Sequence, residues 1–260
     1  MALMHVCFFS EALMLNVNCD VIIPQKSRAL IGMATSREET YRTLYLLHGL
    51  SDDCTIWQRR TSIERYAANR NMAVVMPSAD RSWYTDMKYG GAYRTFIAEE
   101  LPSVMRSFFS GMSNKREDNF IAGLSMGGYG AMKIGLLKSE NFAGIAAFSG
   151  AYDLYPRAFE RSGNSNYWKS IFGDDPEAFK QSDDNVYALV EKKASEGAPK
   201  PKIYMWCGTE DGLLGESREL CAHLTRFGYN PEYHESPGDH SWKYWDEQIK
   251  IALDFFDSDK

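Results

Sequence analysis

Lys and Arg form no stripe in this sequence. They are scattered among a small excess of acids that leaves a formal net charge of −6, so the electrostatic footprint of a nucleic-acid-binding protein is missing and no nucleic acid is expected as partner. Cysteine is sparse and unpatterned: Cys7, Cys19, Cys54, Cys207 and Cys221 make an odd set with neither a disulfide framework nor a paired C-x-x-C site. They read as reduced thiols of a cytoplasmic protein. The opening stretch "MALMHVCFFSEALMLNV" has no basic leader and is broken by His5, Ser10 and Glu11. It matches neither a secretory signal nor a spanning helix, so no membrane insertion is expected. There is no G-x-x-x-x-G-K phosphate cradle, no H-E-x-x-H and no comparable His/Asp spacing. The expectation is therefore a chain with no cofactor and no metal. Internal repeats and low-complexity tracts are absent too.

What is present is length and apolar content: 260 residues, 44% of them hydrophobic, enough to bury the core of a single domain, 1–260. "HVCFFS" and "LNVNCDVIIP" read as partly alternating strands, and "QKSRALIGMATSREET" as a connection to "RTLYLLHG", whose two-sided apolar run fits a buried central strand. Then the pattern becomes regular. "SIERYAANR", "YRTFIAEELPSVMRSFF" and "MGGYGAMKIGLLKS" read as helices, interleaved with the strands "MAVVMPS", "DNFIAGL" and "FAGIAAFSG". The alternation stops near residue 151 and resumes near 201 with the strand "PKIYMWCG", the helix "ESRELCAHLTRFG", the strand "PEYHES" and the helix "WKYWDEQIKIALDFF". Strands alternating with helices imply an α/β fold with a mostly parallel central sheet flanked by helices. Residues 151–200, rich in Tyr, Phe, Asp, Asn and Ser, form an insertion after the sixth strand.

"FIAGLSMGGYG" sets Ser125 between glycines two positions to either side, after a strand and before a helix. A serine in so sharp a turn needs neighbours without Cβ atoms, which Gly123 and Gly127 supply. A hydroxyl is a weak nucleophile at neutral pH, so Ser125 calls for a downstream imidazole and a carboxylate to orient it. The loop "TEDGLLG" offers Asp211, with Glu210 beside it as an alternative and Asp153 after the sixth strand as another; the loop "PGDHSW" offers His240. His5, His223 and His234 fall within strands or a helix and read as structural or surface residues. Acyl transfer also needs two donors for a developing oxyanion. The backbone amide of Met126 and that of Leu50, after the turn at Gly49, are placed for it, with His48 bracing that loop.

The ordered set "LLHGLSDDCTIW", "RSWYTD", "GLSMGGYGAMK", "WCGTEDGLL" and "PGDHSWKYW" resembles the α/β-hydrolase esterases related to esterase D, above all the bacterial short-chain tributyrin esterase branch. The resemblance covers nearly the whole length. It implies Ser125, Asp211 and His240 as a triad, Leu50 and Met126 as oxyanion amides, and a serine carboxylesterase of acetyl, butyryl or feruloyl-type esters. The same superfamily includes S-formylglutathione hydrolases, other thioesterases and acyltransferases. Against a glutathione thioester stand a displaced Cys54 and "SWYTDMKYGGAYRTF" in place of a more glycine-rich stretch. A non-catalytic binding protein on the same fold is the remaining reading. The insertion is expected to act as a cap, with Tyr152, Tyr155, Phe159, Tyr167 and Trp168 joining Trp83 and Tyr84 around a small-molecule ester. The oligomeric state is open, a homo-oligomer included.

Overall fold

A computed structural model describes residues 1–25, 38–161 and 165–258. The connection expected over 25–40 lies mostly outside them. Eight strands form one sheet: β1 (Ala2–Ser10), β2 (Leu15–Ile23), β3 (Arg42–Leu47), β4 (Met72–Pro77), β5 (Asn119–Leu124), β6 (Gly144–Phe148), β7 (Lys202–Gly208) and β8 (Pro231–Ser236), in the order β1-β2-β4-β3-β5-β6-β7-β8. The hairpin of β1 and β2 is antiparallel, as is the pairing of β2 with β4, and every pairing from β4 to β8 is parallel. Position in the sheet follows pattern. "RTLYLL", "MAVVMP", "NFIAGL" and "GIAAF" are buried at every residue, whereas β1 and β8 alternate as edge strands do.

Because successive side chains of a strand face opposite ways, β3 sends Tyr45 and Leu47 into one core and Leu44 and Leu46 into the other. Helices cover both faces. The helix expected over 93–109 is wound in three parts, α over Tyr93–Thr95, π over Phe96–Glu100 and α over Leu101–Phe108. Pro102 has no N–H for the turn behind it, and the Leu101 amide reaches back to Phe96 O, one residue further than an α turn. The helix expected over 62–70 is shorter, Ile63–Ala67, and follows a turn of helix at Ile56–Arg60.

Between β6 and β7 the described residues are helical: a π turn at Pro156–Glu160, then Ser165–Phe172, Pro176–Gln181 and Val186–Ser195. Asp175 caps the second of these α-helices through the amides of Glu177 and Ala178 at 3.0 Å, ahead of Pro176. The segment is tied down by polar anchors. Glu216 accepts the backbone amides of Tyr152 and Asp153 at 2.8 Å and pairs with Arg157. Fully buried Lys133 donates to Asp184 and Thr85 at 2.8 Å and to Trp83 O at 3.2 Å. None of the described helices is long and apolar enough to cross a membrane.

Candidate active site

Ser125 follows the last residue of β5 and precedes the helix Met126–Leu137, with φ +53° and ψ −118°. That left-handed φ is unfavourable for a residue with a side chain and persists only where surrounding contacts enforce it. Here they do. The Ser125 amide donates to Phe148 O at 2.9 Å, and its carbonyl accepts from the amides of Tyr129 at 3.1 Å and Ala151 at 3.3 Å. A Cβ on Gly123 would sit 2.3 Å from Gly127 O, and one on Gly127 would sit 2.5 Å from Leu47 O. Both obstacles are backbone, so the turn can close this tightly only with glycine at the two positions.

Register carries the other chemical groups to the same edge. Leu124, Phe148 and Trp206 are paired across β5, β6 and β7, so Ser125 and Ser149 leave the sheet at one level while β7 runs on to Gly208. Gly208 pairs with Ser236 at the ends of β7 and β8, and the next loops carry Asp211 and His240. There the His240 Nδ1 and Asp211 Oδ2 atoms lie 2.8 Å apart. The other Asp211 oxygen accepts the Leu213 amide at 2.9 Å. Burial alone would raise the Asp211 pKa, yet hydrogen bonds from His240, Leu213 and Ser149 outweigh it and hold this carboxyl below its ordinary range.

Ser149 and Trp245 complete this arrangement and went unnoticed in the sequence. The Trp245 indole N–H donates to Ser149 Oγ at 3.1 Å, and its ring meets the His240 imidazole edge-on at 4.8 Å. Ser149 is buried, has φ +47° and sits behind Asp211. The available signal was "FSG" ending β6 one sheet position from "LSM" ending β5. The alternative acids are engaged elsewhere. Glu210 accepts the Gly238 amide and so pins the histidine loop. Asp153 lies beside Glu216, and burial and that neighbour raise its pKa.

On the other side of Ser125, a Cβ on Gly49 would lie 3.9 Å from the serine Cβ. His48 Nε2 accepts the Ala79 amide at 2.9 Å, which leaves the ring proton on Nδ1, 2.7 Å from Gly49 O. Burial lowers the His48 pKa and keeps the ring neutral. With Gly49 O held by His48 and by the Asp52 amide at 3.2 Å, the planar trans peptide directs the Leu50 N–H the opposite way. The Met126 amide is the first of its helix and so has no partner within it. Neither amide meets an acceptor among the described residues.

The aromatic candidates divide. Trp83 is 5% exposed, donates its indole N–H to the Tyr167 hydroxyl at 2.9 Å and lies 5.3 Å from the Trp168 ring. Trp168, half-buried, stacks on Phe172. Tyr84 is fully buried with its hydroxyl donated to His48 O, and Tyr152 is folded back against Gly150. Neither of these two has an exposed face.

The profile of the Esterase family matches residues 10–256. An acetyl esterase from Caldicellulosiruptor saccharolyticus is 35% identical, with 98% of each chain covered. Among solved structures, a fluorophosphonate-binding serine hydrolase from Staphylococcus aureus superposes with a TM-score of 0.87 at 33% identity over 98% of both chains. An S-formylglutathione hydrolase from the same organism gives 0.84 at 33% identity over 98% of both. A ferulic acid esterase, 22% identical, shares the fold. With this architecture and these relatives, the chain belongs to the Esterase family, as an esterase D-like α/β-hydrolase of the serine carboxylic ester hydrolase class.

Proposed function

We propose that the chain hydrolyses short-chain acyl or small aromatic esters, with Ser125 as nucleophile, His240 as general base and acid, and Asp211 as orienting carboxylate. The observation that carries the reading is the 2.8 Å contact of Asp211 with His240 at the sheet edge where Ser125 is held at φ +53°. Asp211, kept ionised, accepts a hydrogen bond from the Nδ1–H of His240 and leaves Nε2 free to take the serine proton. Ser125 Oγ then adds to the ester carbonyl. The oxyanion forms against the amides of Leu50 and Met126, His240 returns the proton to the departing alcohol, and water hydrolyses the acyl-enzyme by the same relay.

The acetyl esterase relative supports a small acyl group. Thioester hydrolysis is a second reading, favoured by the likeness to the Staphylococcus aureus S-formylglutathione hydrolase. The chemistry of the two differs only in the leaving group, and the test separates them. One portion of purified protein is incubated with a fluorophosphonate, and a separate, untreated portion is assayed on acetyl, butyryl, octanoyl and feruloyl esters and on S-formylglutathione. One covalent adduct on Ser125 and preference for acetyl or butyryl esters is the expected result. Preference for S-formylglutathione would move the assignment to the second reading, and no adduct on folded protein would overturn both.

A further inference from the structure

At the opposite margin of the sheet, three potential metal donors converge from three separate elements. β1 and β2 pair in a register that sets His5 directly across from Asp20, and their Nδ1 and Oδ1 atoms are 2.6 Å apart. Cys54, on the loop after β3, completes a group whose ligand atoms all lie within 4.8 Å of one another. We propose that His5, Asp20 and Cys54 bind one divalent transition-metal ion of the zinc type.

The donor set decides the class of ion. An imidazole, a carboxylate and a thiolate suit zinc, cobalt or nickel, whereas magnesium and calcium take oxygen alone. The geometry is close to what such an ion needs. Tetrahedral zinc with ordinary bond lengths separates neighbouring donors by roughly 3.3–3.6 Å, so His5 must withdraw slightly from Asp20. The His5 side chain is 58% exposed on an edge strand and free to do so, while the Asp20 side chain is 9% exposed. Gln58 fixes the carboxylate by donating its amide to Asp20 Oδ2 at 2.6 Å, as outer partners of metal ligands do.

The local field also favours a cation. Asp20, its side chain 9% exposed, offers a carboxylate 2.6 Å from His5. The thiol proton of Cys54 passes to solvent as the sulfur–metal bond forms. The exposed histidine leaves an open approach from water, which supplies the fourth ligand. Bound here, the ion ties the edge hairpin to the segment that begins at Leu50. Sequence spacing hid this site, because residues 5, 20 and 54 share no motif.

Cobalt(II) is the probe, since thiolate ligation gives it a near-ultraviolet charge-transfer band that other ligands do not. Chelator-treated full-length protein should develop the band with one equivalent of cobalt. Cys54→Ser should abolish it, His5→Ala should weaken binding at least about tenfold, and Gln58→Ala should weaken it by about tenfold. A double variant, Cys7→Ser with Cys221→Ser, should keep it, as these are the more accessible thiols. Absence of the band in the wild-type protein overturns the proposal. So does a band that survives Cys54→Ser, or one whose affinity is unchanged in His5→Ala, a substitution at an exposed side chain that leaves folding intact. None of these residues takes part in ester cleavage, so the outcome is independent of the hydrolase reading.

Discussion

At Ser125 the chain is held in place by backbone, whereas at Trp168 it is held by rings. Around the serine, the obstacles that a Cβ would meet are the carbonyls of Gly127, Leu47 and His48, and the turn is fixed by amides of Ser125, Tyr129 and Ala151. Around Trp168 the neighbours are Trp83, Tyr167 and Phe172, with ring centroids 5.1–5.9 Å away. Backbone sterics admit one residue type and one conformation. Aromatic packing accepts many substitutions at modest cost and leaves the scaffold standing. If the second kind of support walls the acyl pocket, substrate preference can change without moving the reacting atoms.

The largest effect expected is at the serine itself. Ser125→Ala and His240→Ala should each lower kcat on a butyryl ester by on the order of 10⁶ with an unchanged melting temperature. A residual rate within tenfold of wild type in either variant would remove that residue from the mechanism. Next comes the acid: Asp211→Asn should cost on the order of 10⁴ in kcat, because the amide orients the imidazole wrongly. The same substitution has a signature in stability. The folded Asp211 carboxyl is held below its ordinary value of 3.8, so its contribution is fully present above about pH 4 and is lost as pH falls through the depressed folded value. The difference in melting temperature between wild type and Asp211→Asn should therefore shrink below pH 4. A difference constant from pH 7 to pH 3 would contradict this coupling.

Gly127→Ala tests the backbone side of the comparison directly. Its Cβ would meet Leu47 O at 2.5 Å and His48 O at 2.6 Å, forcing the helix start away from β3. Displacement of reacting groups by about 1 Å costs about 10² in turnover, and overpacking about 1–3 kcal/mol in stability. Both losses should appear together, read by steady-state kinetics and thermal unfolding. A variant with normal turnover would show that the elbow has slack that its contacts do not reveal.

The same division explains what the sequence disclosed. Glycines at 123 and 127 around Ser125 are legible because only backbone crowding demands them, and β3 to β6 are legible because strands buried on both faces must be apolar throughout. His240 and Asp211 were legible by their places on loops after β8 and β7. Ser149 and Trp245 were not, since their roles depend on four elements meeting: the end of β6, the loops after β7 and β8, and the closing helix. The π turn at Phe96–Glu100 was hidden for a different reason, as helix periodicity does not register one inserted residue. For Tyr84 and Tyr152, composition announced an aromatic wall, but it could not tell rings that face a pocket from rings that brace a loop.

The smallest effect expected lies on the aromatic side, and it sharpens the comparison most. Trp168 is half-buried between Trp83, whose position is fixed by Tyr167 and by Lys133 on its carbonyl, and Phe172, which continues into the cluster of Phe179, Phe159 and Tyr155. Removing the indole should leave Trp83 in place, because Trp83 is anchored by hydrogen bonds that do not involve Trp168. Space would then open on the insertion side alone. Trp168→Ala should therefore alter the ratio of kcat/KM on butyryl and feruloyl esters by roughly tenfold, the scale on which apolar pockets discriminate substrates, while fluorophosphonate labelling of Ser125 keeps its wild-type rate. If every ester instead slows by one common factor and the melting temperature drops, Trp168 packs the insertion onto the body and the wall of the acyl pocket must be sought among other residues.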